Sequence, residues 1–151
     1  MNNKYYAVCG IVTIDGKVLL VRHTYGVAKD KLLLPGGHVR EGELPTDAVV
    51  REIREETGVL CRPTALFAVQ FTANQWCAVF ETEYLEGTPV SDGYENSEVR
   101  LMTPEEAVAR EDMTNLSRAI LKAYIQKLPS LEKSSYVGKY HTPDTYAIFG
   151  V

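Results

Sequence analysis

Along the first third of the chain, apolar residues recur in the two-residue rhythm of strands. Residues 5–14 form a β-rich run, Asp15-Gly16 is a turn signal, and residues 17–23 form a second strand, so the pattern predicts a hairpin. A polar, glycine-containing loop over 24–31 leads to the short buried strand Leu32-Leu33-Leu34, which runs directly into Pro35-Gly36-Gly37. Paired glycines permit close approaches that a Cβ forbids. They read as a simple turn or as backbone facing a ligand. Further on, residues 65–72 and 76–85 are strand candidates around the hairpin signal Ala73-Asn74-Gln75, residues 86–97 a surface loop, and 98–102 a short strand. Thr103 as N-cap and Pro104 at the first helical position open a helix. A longer one is predicted over 115–128, with Leu116, Ala119, Ile120, Ala123 and Tyr124 on one face, and Pro129 ends it.

Between the two strand regions the period changes. Pro45 suits a first helical turn and Gly58 a C′ position, and Thr46, Val49, Val50, Ile53 and Thr57 recur at three- and four-residue spacing to make one largely apolar face. Glu52, Glu55 and Glu56 are expected together on another face. Glu52 is i,i+3 to Glu55 and i,i+4 to Glu56, spacings at which like charges repel by a few tenths of a kcal/mol. Two of the three also crowd the helix C-terminus, where the macrodipole disfavours anions. A charged solvent face eased by an Arg51–Glu55 pair is the plain reading. A bound cation also removes the conflict, and carboxylates are the ligands that a hard ion such as Mg²⁺ prefers. Strands on both sides of this helix, with later helices over the other sheet face, imply an α/β/α sandwich around a mixed β-sheet.

The 151 residues suggest one domain, with 129–151 a tail carrying Tyr136, Tyr140, Tyr146 and Phe149. The aromatic content predicts that the tail docks, on its own domain or across a homodimer. A formal net charge of -4 argues against a nucleic-acid polymer as partner, though not against a small phosphorylated ligand held with a metal. Cys9, Cys61 and Cys77, odd in number and without a CxxC pair, read as thiols of a reducing compartment. No apolar run is long enough to span a membrane, and a cytoplasmic protein is expected.

Gly37, Glu43, Arg51, Glu52, Ile53, Glu55, Glu56, Gly58 and Val59 fill all nine defined places of the pattern Gly-x5-Glu-x7-Arg-Glu-U-x-Glu-Glu-x-Gly-U, where U is bulky and aliphatic. The stretch resembles the Nudix box, a match expected by chance on the order of 10⁻⁷ in a chain this short. The resemblance implies the fold already inferred and a Mg²⁺- or Mn²⁺-dependent hydrolysis of a diphosphate linkage in a small nucleotide-type substrate, such as a nucleoside triphosphate or ADP-ribose. A nucleotide-sensing module without catalysis is the other reading. By correspondence, Glu52, Glu55 and Glu56 are implied metal ligands, with the Gly37 carbonyl a further one. Glu52 is the first candidate for the base that takes a proton from water, and Glu95, in the loop before the 98–102 strand, the second. Arg51 joins the catalytic set in a structural role, its fork holding Glu43. Gly36 and Gly37 offer backbone to the substrate. Arg22, ending the second strand, reaches a substrate phosphate or forms a salt bridge. His23 and His38 flank the presumed cleft, and Trp76, Tyr25 and the tail tyrosines stack on a base or belong to core and interface. Leu32 stands where many relatives carry an aromatic, no proline falls between Pro63 and Pro89, and the first tyrosine after the box is Tyr84. Marks of the ADP-ribose and dinucleoside-polyphosphate subgroups are thus missing, and the substrate is not named.

Overall fold

The computed structural model describes residues 5–151. In chain order the elements are β1 (Tyr5–Ile11), β2 (Thr13–Ile14), β3 (Lys17–His23), β4 (Leu32–Leu33), β5 (Gly36–His38), α1 (Pro45–Thr57), β6 (Leu60–Phe71), β7 (Gln75–Glu86), β8 (Asn96–Met102), α2 (Pro104–Val108), α3 (Asn115–Ile125) and β9 (Leu131–Glu132). One sheet has the order β5-β1-β7-β6-β9, with β1 and β7 parallel and the remaining pairs antiparallel. In the other, β8 pairs with β3 from Val18 to His23, and β2 and β4 also pair with β3.

Strands buried on both faces explain the layering. Val18, Leu19, Leu20 and Val21 are all fully buried, and alternation sends Val18 and Leu20 into one core while Leu19 enters the other. The first core, with Ile11, Leu32, Val79, Met113, Ile120 and Leu121, lies under α2 and α3. The second, with Val8, Val49, Ile53, Val59 and Phe80, lies under α1. This is the expected α/β/α sandwich, with the strands divided between two sheets. Among the described residues no helix is long and apolar enough to cross a membrane.

Three expectations need correction, and one open alternative is decided. The first run does not form one hairpin with β3, for only Thr13 and Ile14 pair with Val18 and Lys17. At buried Val12 the chain changes sheet, because Tyr5–Ile11 finds a parallel partner over its whole length in β7. Pro35-Gly36-Gly37 is no turn. Gly36 and Gly37 are extended in β5 against β1, and a Cβ on Gly36 would lie 2.0 Å from the Val8 carbonyl oxygen. β6 begins at Leu60, well before residue 65, and three register shifts along its pairing with β7 accommodate Pro63 and the surplus residues. Finally, α3 stops at Ile125, since Lys127 adopts a left-handed φ of 54°.

The tail docks on its own chain. β9 extends the first sheet along β6, Lys133 bridges to Phe149, and the Phe149 ring meets Phe80 at 5.7 Å between centroids. Replacing Phe149 with Ala should lower stability by about 1–2 kcal/mol, less than the loss for a fully buried Phe, and Tm by roughly 3–6 °C. Calorimetry of that variant and of a chain truncated after Pro129 checks this, the truncation being expected to cause the larger drop.

Candidate metal centre and active site

Helix α1 starts without a side-chain cap, at Leu44 and Pro45, and closes with Gly58 at φ 75°, its N–H bonded to the Arg54 carbonyl at 2.9 Å. Glu52 and Glu56 lie one turn apart along it. Glu55 shares Arg51 Nη1 with Glu52 but stands outside the cluster that Glu52 and Glu56 join. Glu56 is only 2% exposed, pulled inward beside Thr57, whereas Glu55 is half exposed, 3.3 Å from Arg51 and 3.6 Å from Arg40. The third acid of the cluster comes from the far side of the cleft. Oxygens of Glu52, Glu56 and Glu95 all lie within 4.8 Å of one another.

Arg51 fixes one side of this arrangement. Its Nε and Nη2 donate to the two Glu43 oxygens at 2.8 and 2.9 Å, Nη2 also to the His38 carbonyl at 3.0 Å, and Nη1 to Glu52 Oε1 at 2.9 Å and Glu55 Oε2 at 3.3 Å. Five donors thus meet five acceptors. The fork holds the Glu43 carboxyl below its ordinary range, and Glu43 together with Glu52 pushes the guanidinium up. Gly37 makes room on the other side, since a Cβ there would sit 2.3 Å from Glu52 Cδ.

The implied backbone ligand changes as well. Gly10 N–H donates to the Pro35 carbonyl and Val39 N–H to the Tyr6 carbonyl, which by antiparallel alternation makes Gly37 the hydrogen-bonded partner of Val8. Its carbonyl therefore turns to β1. The polar backbone groups of Gly36 turn away from β1, its N–H lying 3.4 Å from Glu56 Oε2.

Asn96 was not among the expected site residues, yet it locks the cleft. It is 1% exposed, its Nδ2 donates to the Glu56 carbonyl at 2.8 Å, and its N–H to Asp92 Oδ1 at 3.1 Å. This ties the Glu95 loop to the end of α1. The sequence signal was there in Asp92-Gly93, since an Asp in a turn accepts backbone N–H groups further along, as it does from Tyr94 at 2.9 Å. Asn96 Oδ1 is buried without a partner. Arg22 is drawn elsewhere, its Nε on Glu98 at 2.9 Å and Nη1 on Asp112 at 3.0 Å and the Asp30 carbonyl at 2.8 Å. Of its two expected alternatives, the structure presents the salt bridge. A cavity of about 470 Å³ lined by Phe67, Glu81, Pro104, Tyr124, Leu128 and Pro129 includes none of the three clustered acids.

Burial raises the Glu56 carboxyl to about 8, with neighbouring Glu52 adding to the rise, the Gly36 N–H opposing it, and Glu95 and Asp92 adding further. Glu52 is raised by burial too, against the pull of Arg51. Three oxygen-only ligands that repel one another, one of them buried, match a hard divalent ion well. In the absence of such an ion the folded protein favours protonated Glu56. Stability from this group is then full below the ordinary value of 4.5 and is lost as pH rises through about 8. Urea midpoints measured in EDTA should fall over that window, and Glu56→Gln, neutral at every pH, should flatten the fall.

A family model of the NUDIX domain matches residues 4–124. An ADP-ribose pyrophosphatase of Methanocaldococcus jannaschii is 44% identical over 63 residues, which cover 42% of this chain and 37% of that protein. An 8-oxo-dGDP phosphatase of Mus musculus is 28% identical over 72 residues, covering 48% of this chain and 22% of that one. The matches thus span well under half the length of these curated relatives. Among solved structures, a NUDIX hydrolase from Nitrosomonas europaea superimposes with a TM-score of 0.76 at 25% identity, covering 84% of this chain and 73% of that one.

Proposed function

The chain belongs to the NUDIX family, and we propose that it hydrolyses a phosphoanhydride bond in a nucleoside diphosphate derivative with the aid of Mg²⁺ or Mn²⁺. One observation carries this reading, the convergence of Glu52, Glu56 and Glu95 within 4.8 Å around a buried carboxylate. The names of the relatives, an ADP-ribose pyrophosphatase and an 8-oxo-dGDP phosphatase, support the substrate class.

Glu56 is the anchoring ligand, with Glu52, Glu95 and the Gly36 carbonyl around it and Glu55 at the exposed rim. A divalent ion bound there neutralises phosphate charge and acidifies water. Arg51 has no donor left for a phosphate, so its part is to hold Glu52 in place. Glu52 is the proposed base, because one of its oxygens is fixed by Arg51 while burial raises its basicity. Glu95 faces the same centre and is the second candidate.

No turnover is expected in EDTA. Glu52→Gln should lower kcat by about 10²–10⁴-fold at saturating Mg²⁺ and flatten the acidic limb of its pH profile, while Glu95→Gln leaves that limb in place. The opposite pattern assigns the base to Glu95. Binding of Mg²⁺ at pH 6.5 should release about one proton, because Glu56 must ionise to ligate. Calorimetry in buffers of different ionisation enthalpy counts it, and Glu56→Gln should abolish the release.

A further inference from the structure

We propose that the stacked rings of His23 and Tyr25 form a platform for the planar base of the substrate, an inference that rests on the function proposed above. The two rings lie 5.1 Å apart between centroids with 13° between their planes. Tyr25 is 51% exposed, so its outer face is open. An exposed tyrosine on a loop is ordinarily a solvated one, but this loop is pinned. The intervening Thr24 donates its N–H to the Glu95 carbonyl at 3.1 Å, and its hydroxyl contacts the Tyr94 carbonyl at 2.8 Å and the Glu95 carbonyl at 3.1 Å. His23 is itself in register with Asn96 on β8. The platform is therefore attached on both sides to the segment that delivers Glu95 to the acid cluster.

Charge decides what such a surface binds. Burial holds the His23 ring toward its neutral form and raises the Tyr25 phenol, with Glu95, Glu56, Glu52 and Asp92 adding to the rise, and the Thr24 bonds to the Glu95 and Tyr94 carbonyls keep both rings beside that acidic segment. Two neutral rings beside several carboxylates repel a bare phosphate but offer a π face to an uncharged heterocycle. Stacking on an aromatic side chain tolerates any base and contributes about 5–150-fold in affinity. The diphosphate then lies toward Glu52 and Glu56, and the base over Tyr25.

The test uses the full chain with Mg²⁺, and binding of ADP and of ribose 5-phosphate measured by calorimetry alongside hydrolysis. Tyr25→Leu should weaken ADP by about 5–150-fold, leave ribose 5-phosphate and Mn²⁺ affinity unchanged, and raise KM for a nucleotide substrate more than it lowers kcat. Tyr25→Phe, which keeps the ring, should restore ADP binding. Equal loss of ADP and ribose 5-phosphate, failure of the Phe variant to restore binding, or unchanged ADP affinity in Tyr25→Leu would each overturn the platform. A wild-type protein that binds ADP through Tyr25 yet cleaves no anhydride would leave the platform standing and remove the hydrolase reading instead.

Discussion

Mutual repulsion of carboxylates held close together, one of them buried, is the constraint around which this protein is arranged. Left alone, Glu56 would protonate, rotate outward or unfold its surroundings. With its neighbours fixed, protonation is the course that remains open to it without a cation. The Arg51 fork holds Glu52, Asn96 binds the Glu56 main chain to the Glu95 loop, and two glycines let β5 pass where any side chain would strike Glu52 or β1. Each contact is worth little alone. Together they hold the acids in position.

Much of this was legible in the sequence, for reasons that differ by element. Helix α1 announced itself through Pro45, Gly58 and a regular apolar face, and the box spacing identified Glu52 and Glu56. Glu95 was picked out as the second candidate base but not as a partner of Glu56, because convergence across the cleft is a tertiary fact with no local period. Asn96 escaped because the turn signal at Asp92-Gly93 marks a loop without saying which element that loop meets. A helical wheel places Glu55 beside Glu56, and only the neighbouring Arg40 and Arg51 hold it outward. The glycine pair was read correctly as close approach, and its extended geometry followed once β1 stood behind it. The hairpin failed where two pairings competed. A tight turn favoured β1 on β3, yet the seven-residue parallel match with β7 prevailed.

The tail extends the same logic past the family-matched segment, which ends at residue 124. β6 would otherwise present an unpaired edge, and Phe80 a ring with less cover, beside the core under α1. Leu131–Glu132 and Phe149 attend to both. Edge strands left open invite pairing between chains, so the tail guards the sheet as well as stabilising it.

The clamp between Asn96 and Glu56 also has a temporal side. Glu52 and Glu56 are neighbours as soon as α1 forms, but Glu95 arrives only when β8 aligns with β3, a pairing that closes most of the chain into a loop. Closing so long a loop costs chain entropy. Glu95 therefore joins the other two acids only where β8 is paired with β3. An incompletely folded chain carries a helix with two acids and no third, so this geometry acts as a certificate of completed folding.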